Sequence, residues 1–226
     1  MRPKILDHVA LWVADRDRIA DFVTRHLGMH VIERTDKFTL VGSDARHGKL
    51  TLFAEEGPRE RGALKHIALR VSDLQSAIEQ LPELDLERDG GAAYFEVAEG
   101  LRLGLVEAQT EVEYDLDHVA LFSAEPDATA RRYEDFGFAP SGNRRVEAGG
   151  AYVEFDDGEP GDSERPLLNH LAVLVDSAQE TIDQAKQAGM EIDNVVDAPN
   201  TYAVFVWGPE RVKIEYVEQK PTFALK

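Results

Sequence analysis

Apolar and polar positions along this chain repeat as one paragraph written four times. The phrase Leu-x-His-[Val/Ile/Leu]-Ala-[Leu/Val] opens each copy, at residues 6–11, 64–69, 116–121 and 168–173. Its histidines, His8, His66, His118 and His170, follow one another at intervals of 58, 52 and 52 residues. Self-similarity at a fixed period means one supersecondary unit used repeatedly. In the first copy, residues 8–13 read as a short, largely apolar strand. Ile19, Phe22, Val23 and Leu27 then recur at helical spacing over residues 15–27, and Gly28 stands where a helix C′ residue belongs. Short β-like runs follow at 29–34, 38–41 and 50–54. The third copy repeats this with a strand at 118–122, a helix over 128–136, Gly137, and strands near 146 and at 151–155. The fourth has a helix over 178–188, Gly189, and strands at 202–207 and 212–217. In the second, a helix over 74–81 is stopped by Pro82, and strands follow at 93–97 and 101–106. Each unit therefore reads as βαβββ, with one short strand not distinguished in some copies. The polar, acidic stretch 108–115 is the best boundary between halves. The predicted fold class is α+β: four βαβββ repeats in two tandem halves, 1–110 and 114–226.

Composition narrows the class of partner. The 226 residues carry a net charge of −18, with 43% hydrophobic and 30% charged residues, as an ordinary globular protein does. Such acidity argues against nucleic acid, whose phosphates need Lys and Arg, and against anionic membranes. There are no cysteines, so disulfides, thiolate catalysis and Cys-based metal sites are excluded. No leader-like segment opens the chain and no run approaches the length of a membrane span. The expectation is a cytoplasmic protein acting on a small-molecule substrate, with homo-oligomerisation left open.

Strand geometry says where chemistry belongs. Alternate side chains face opposite ways, so His8, Ala10 and Trp12 share one face and Val9, Leu11 and Val13 the other. All four repeat histidines are thus expected in a sheet concavity. Aligning the closing strands places Glu215, Glu154, Gly104 and Thr51 at one equivalent position. A carboxylate facing a closed cavity is costly unless paired or bound to a metal. The second half then offers His118, Glu154, His170 and Glu215, whereas the first offers two histidines and no acid. The metal site is expected in 114–226, with 1–110 degenerate and structural. His26, His30 and His47 match no repeat position and read as surface residues.

These features resemble the vicinal oxygen chelate superfamily, which includes glyoxalase I, methylmalonyl-CoA epimerase, bleomycin resistance proteins and extradiol dioxygenases. The carriers are the opening phrase, the helix-ending Gly28, Gly137 and Gly189, and the run from Gly208 to Tyr216. That run is similar to the family ending Pro-x-Gly-x-x-x-Glu, with Arg211 at the usual glycine. The resemblance implies two tandem domains, each a curled mixed sheet formed by a pair of units around a cavity. It also implies a divalent metal held by His118, His170 and Glu215, and two uses of it. An extradiol dioxygenase cleaving a catechol-like aromatic would use Fe2+ or Mn2+ on two imidazoles and one carboxylate. A glyoxalase-like or epimerase-like isomerase would add Glu154 as fourth ligand and proton-moving base, on Ni2+ or Zn2+. Glu154 and Tyr202 are the catalytic candidates, Tyr202 lying near a position where the family carries Tyr and this chain Phe205. A metal-free protein that sequesters a small aromatic ligand is the third reading.

Overall fold

The computed structural model describes residues 1–161 and 163–224. The first unit comprises β1 (Leu6–Val13), α1 (Arg16–His26), β2 (His30–Arg34), β3 (Phe38–Gly42) and β4 (Lys49–Ala54). The second comprises β5 (Leu64–Val71), α2 (Leu74–Glu79), β6 (Glu87–Asp89), β7 (Ala92–Ala98) and β8 (Leu101–Glu107). The third comprises β9 (Asp115–Ser123), α3 (Pro126–Asp135), β10 (Ala139–Pro140), β11 (Arg145–Ala148) and β12 (Ala151–Asp157). In the fourth, β13 (Leu168–Leu174), α4 (Ala178–Gln187), β14 (Ile192–Asp197) and β15 (Thr201–Trp207) precede a 3₁₀ turn (Pro209–Arg211) and β16 (Lys213–Gln219). The βαβββ reading holds in every copy. The strands that pattern alone did not reveal, β6, β10 and β14, are exposed along nearly their whole length, so no apolar run betrays them.

The α+β class and the four repeats in tandem halves are as expected, but the pairing of units is not. One eight-stranded mixed sheet has the order β14-β15-β16-β13-β1-β4-β3-β2, and the other β10-β11-β12-β9-β5-β8-β7-β6. The first unit therefore pairs with the fourth and the second with the third. Residues 1–110 do not form a sheet of their own, nor do 114–226; each half gives one unit to each sheet. The stretch 108–115, expected to separate two domains, instead joins β8 to β9 within a single sheet, its last residue, Asp115, already opening β9. Equivalent repeats carry equivalent hydrogen-bonding edges, so similarity defines the unit without choosing its partner.

Helices begin where caps permit. Asp15 accepts from the Arg18 amide at 3.0 Å at the start of α1, Ser177 does the same for Glu180 at the start of α4, and Pro126 opens α3. Ile19, Ala20 and Val23 of α1 are buried, and Phe22 crosses to Phe95 of the other sheet, ring centroids 6.0 Å apart. The sheets are also latched reciprocally by two glutamates in positive-φ turns just before a closing strand, Glu99 (φ 55°) and Glu210 (φ 57°). Glu99 accepts from the Ala14 and Asp15 amides at 2.7 and 2.8 Å, at the mouth of α1. Glu210 accepts from Ser123 and Thr129 at 3.0 and 2.6 Å, at the mouth of α3. Buried apolar residues from both sheets form one continuous core. Among the described residues, no helix is long and apolar enough to cross a membrane.

Candidate metal centre

The repeated phrase brings its own copies face to face. In the β1–β13 pair, His8 lies opposite Ala172 and Ala10 opposite His170; in the β5–β9 pair, His66 lies opposite Ala120 and Ala68 opposite His118. The small Ala across from each imidazole leaves room on the concave face. The same alanines set the closing strands: Ala10 pairs with Thr51, Ala68 with Gly104, Ala120 with Glu154 and Ala172 with Glu215. The equivalence of those four positions, read from sequence, is thus the register of the structure. One sheet therefore presents His8, His170, Thr51 and Glu215, and the other His66, His118, Gly104 and Glu154.

In the first sheet three ligand atoms converge. His8 Nε2 lies 3.3 Å from Glu215 Oε2 and 3.3 Å from His170 Nε2, and His170 Nε2 lies 3.0 Å from the same carboxylate oxygen. All three residues are nearly buried, and they form the metal-capable cluster found among the described residues. The opposite ring nitrogens are engaged from behind. His8 Nδ1 meets Asp7 Oδ2 at 2.8 Å and His170 Nδ1 meets Asn169 Oδ1 at 3.1 Å. With a hydrogen on each Nδ1, it is Nε2 of both rings that faces the cluster centre, the arrangement that prepares imidazoles for a cation once His8 has released its second proton. Asp7 is itself held by buried Lys49, at 2.7 and 2.8 Å.

Electrostatics fit the same use. Burial disfavours a charge on His8, but Asp7 and Glu215 overcome it and push His8 up to about 9. Burial outweighs Glu215 at His170 and lowers it. Burial would raise Glu215, yet the two imidazoles hold its carboxyl well below the usual range. One proton on His8 cannot serve three mutual contacts at once, and His170 Nε2 still turns its lone pair toward a carboxylate. Two neutral imidazoles and one carboxylate suit a divalent transition metal.

The other sheet takes a different course. His66 Nε2 and His118 Nε2 are 2.9 Å apart, and His118 Nδ1 meets Asp117 at 2.7 Å. Burial, with His118 alongside, pushes His66 down to about 3. The acid expected to join His118 does not: Glu154 pairs with Arg145, its cross-strand neighbour. At the remaining position, the Tyr94 ring fills the space above Gly104, where an added Cβ would meet it at 2.6 Å. Tyr94 and Tyr152 pack on His66 and His118, each with centroids 4.6 Å away, and Arg102 and Arg145 cover the two phenol rings.

Of the expected ligands His118, His170, Glu215 and Glu154, the structure brings only His170 and Glu215 together. His8, read from sequence as scaffold, joins them because its unit supplies the partner strand. Tyr202 lies on the far face of β15, bonded to Gln179 of α4 at 3.2 Å. Phe205 instead stands opposite Glu215 and edges His170 at 5.1 Å. Phe53 packs 6.2 Å from His170 and 5.3 Å from Trp12, so the cluster has an aromatic wall. Arg211, at the family's glycine, does adopt positive φ (56°), a conformation that favours glycine. Its guanidinium lies 4.1 Å from the Trp207 ring centroid.

Comparison with known proteins agrees with this architecture. The family model described as Glyoxalase/Bleomycin resistance protein/Dioxygenase superfamily matches residues 5–92 and 115–216. No curated protein matches the chain. Among solved structures, a "putative dioxygenase" from Bacillus subtilis has TM-score 0.77 at 16% identity, covering 97% of this chain and 86% of its own. Glyoxalase I from Zea mays has TM-score 0.76 at 16% identity, with 95% and 92% covered. The cppA protein from Streptococcus pneumoniae has TM-score 0.66 at 12% identity, with 96% and 98% covered. Likeness at this level of identity establishes the fold.

Proposed function

The chain belongs to the Glyoxalase/Bleomycin resistance protein/Dioxygenase superfamily, and on that premise we propose that it is a divalent-metal enzyme of the extradiol dioxygenase type, acting on a small catechol-like aromatic. The observation that carries the reading is the ligand set. His8, His170 and Glu215 supply two imidazoles and one carboxylate, while the fourth equivalent position holds Thr51 instead of an acid. A two-His two-Glu isomerase site needs a carboxylate there, whereas a three-ligand set leaves open positions for a chelating substrate and dioxygen. Fe2+ or Mn2+ suits such a set, and when bound it supplies those positions and Lewis acidity.

The chain's own residues do the rest. Asp7 and Asn169 fix the ring orientation of the two histidines, and Lys49 anchors Asp7. Phe53 and Phe205 flank His170 and offer faces and edges against which an aromatic ring packs while water is excluded. In the reaction both atoms of dioxygen enter the catechol, one ring C–C bond breaks, and no external reductant is consumed. The test is anaerobic loading with Fe2+, then catechol and air. Oxygen uptake with a yellow ring-cleavage product, abolished in His170→Ala but not in His118→Ala, is expected. Isomerisation of a hemithioacetal by the Ni2+ or Zn2+ form, without oxygen uptake, would overturn the assignment.

A further inference from the structure

The aromatic wall of the metal centre does not end at Phe53. Trp12, on the same face of β1 as His8, continues it and also lines a cavity of about 410 Å3 at the end of the strand, formed with the segments around Arg59 and Arg165. Those segments are tied by a bridge between Glu60 and Pro166 and by hydrogen bonds from the Glu60 amide to Arg165 O (3.0 Å) and from the Leu167 amide to Glu60 O (2.7 Å). The cavity walls are thus held by the same crossing of units that builds the metal cluster.

Two arginines line this cavity, Arg59 half-buried and Arg165 exposed. Arg34, Arg102, Arg132, Arg144 and Arg145 are each matched with a carboxylate, while Arg18, Arg46, Arg61, Arg88 and Arg131 carry their charge into solvent without one among the described residues. Arg59 and Arg165 have no such partner among the described residues, although Glu55, Glu56 and Glu164 line the same cavity. Among the described residues their guanidinium groups bond only to a backbone carbonyl, Glu56 O, at 2.7 and 3.5 Å, and Arg59 Nε is buried without a hydrogen-bond partner. A buried donor left unmatched beside available acids is a cost that a ligand can remove. Glu55, Glu56 and Glu164 are exposed, so they reach solvent while the Arg59 donor stays inside.

We propose that this cavity is an anion subsite of the metal centre: the substrate is a small aromatic oxygen chelator carrying a carboxylate tail, which passes Trp12 and is read by Arg59 with Arg165 beside it. The inference rests on the reading of His8, His170 and Glu215 as metal ligands. Arginine suits the task because its planar fork matches a carboxylate.

The test uses full-length protein loaded with Zn2+, which cannot turn over a catechol, and measures binding of dihydrocaffeate, its methyl ester and catechol by calorimetry. Dihydrocaffeate should bind at least about tenfold more tightly than the ester, as charge-assisted hydrogen bonds warrant. Arg59→Met should shrink that preference to about twofold or less, with bound zinc, ester affinity and circular dichroism unchanged. Arg165→Met should shrink it in the same direction. Equal affinity for acid and ester in the unmodified protein, an unchanged preference in Arg59→Met, or no binding of either probe to zinc-loaded protein would overturn the subsite alone. Failure to take up zinc would overturn the metal reading and the subsite with it.

Discussion

Loading the centre with Mn2+ should release close to one proton per ion at neutral pH, and that proton should come from His8. The ordinary histidine value of 6.5 is pushed up to about 9 at His8 by Asp7 and Glu215 acting against burial. His170 is lowered and Glu215 is held low, so both are ready to ligate without losing a proton. At pH 7 all but about one molecule in a hundred then carries the His8 proton, which the metal must displace. Affinity should rise about tenfold per pH unit, or ~100-fold from pH 6 to pH 8. Metal-free stability should move the other way. The raised His8 contributes stability that is complete below 6.5 and lost as pH climbs through about 9. The lowered Glu215 contributes above its ordinary 4.5 and loses its contribution as pH falls. The melting temperature of metal-free protein should therefore decline above pH 6.5 while the increment gained from metal grows. Calorimetric titration in buffers of different ionisation enthalpy counts the protons directly. Asp7→Asn should lower the release and flatten the dependence at its alkaline end. A release near zero would mean His8 is already neutral, and a release near two would mean His170 is charged as well; either result refutes the reasoning.

Three further outcomes discriminate among the residues. Glu215→Gln should weaken metal uptake at least ~100-fold while Glu154→Gln leaves it within about twofold, measured by metal content after gel filtration; equal effects would return Glu154 to the site. Lys49→Met removes the buried partner of Asp7 and should cost about 3–5 kcal/mol in chemical denaturation; a loss below about 1 kcal/mol would show that Asp7 does not depend on it. Fragments 1–110 and 111–226, expressed separately, should each lack the native circular dichroism and regain it on mixing, because every sheet needs both; a native-like fragment 111–226 that binds metal alone would contradict the crossed pairing.

Much of this fold is written locally. The phrase at His8, His66, His118 and His170 announces its strand because a period-2 face and a fixed register are local properties, and Gly28, Gly137 and Gly189 mark helix ends because each takes a positive φ. The equivalence of Thr51, Gly104, Glu154 and Glu215 was legible for the same reason. Partner choice among like units is not local, and that cost the assignment of His8. The placements of Glu154 and Tyr202, by contrast, have local signals in the sequence. Counting outward from the Gly149-Gly150 turn sets Arg145 opposite Glu154 and offers that carboxylate an ion pair. Parity along β15 separates Tyr202 from Phe205, so only one of them can face Glu215.

The crossed pairing also orders events in time. His8 and His170 are 162 residues apart in sequence, and Glu215 emerges later still. Chains fold as they are made, from the N-terminus onward. The second and third units can join as soon as β12 is complete, while β1 must wait, its inner edge unfilled, for β13. The His8–His170–Glu215 cluster therefore assembles as one of the last acts of synthesis. A chain stopped short of β16 carries two imidazoles without their carboxylate, so an interrupted product lacks the complete cluster.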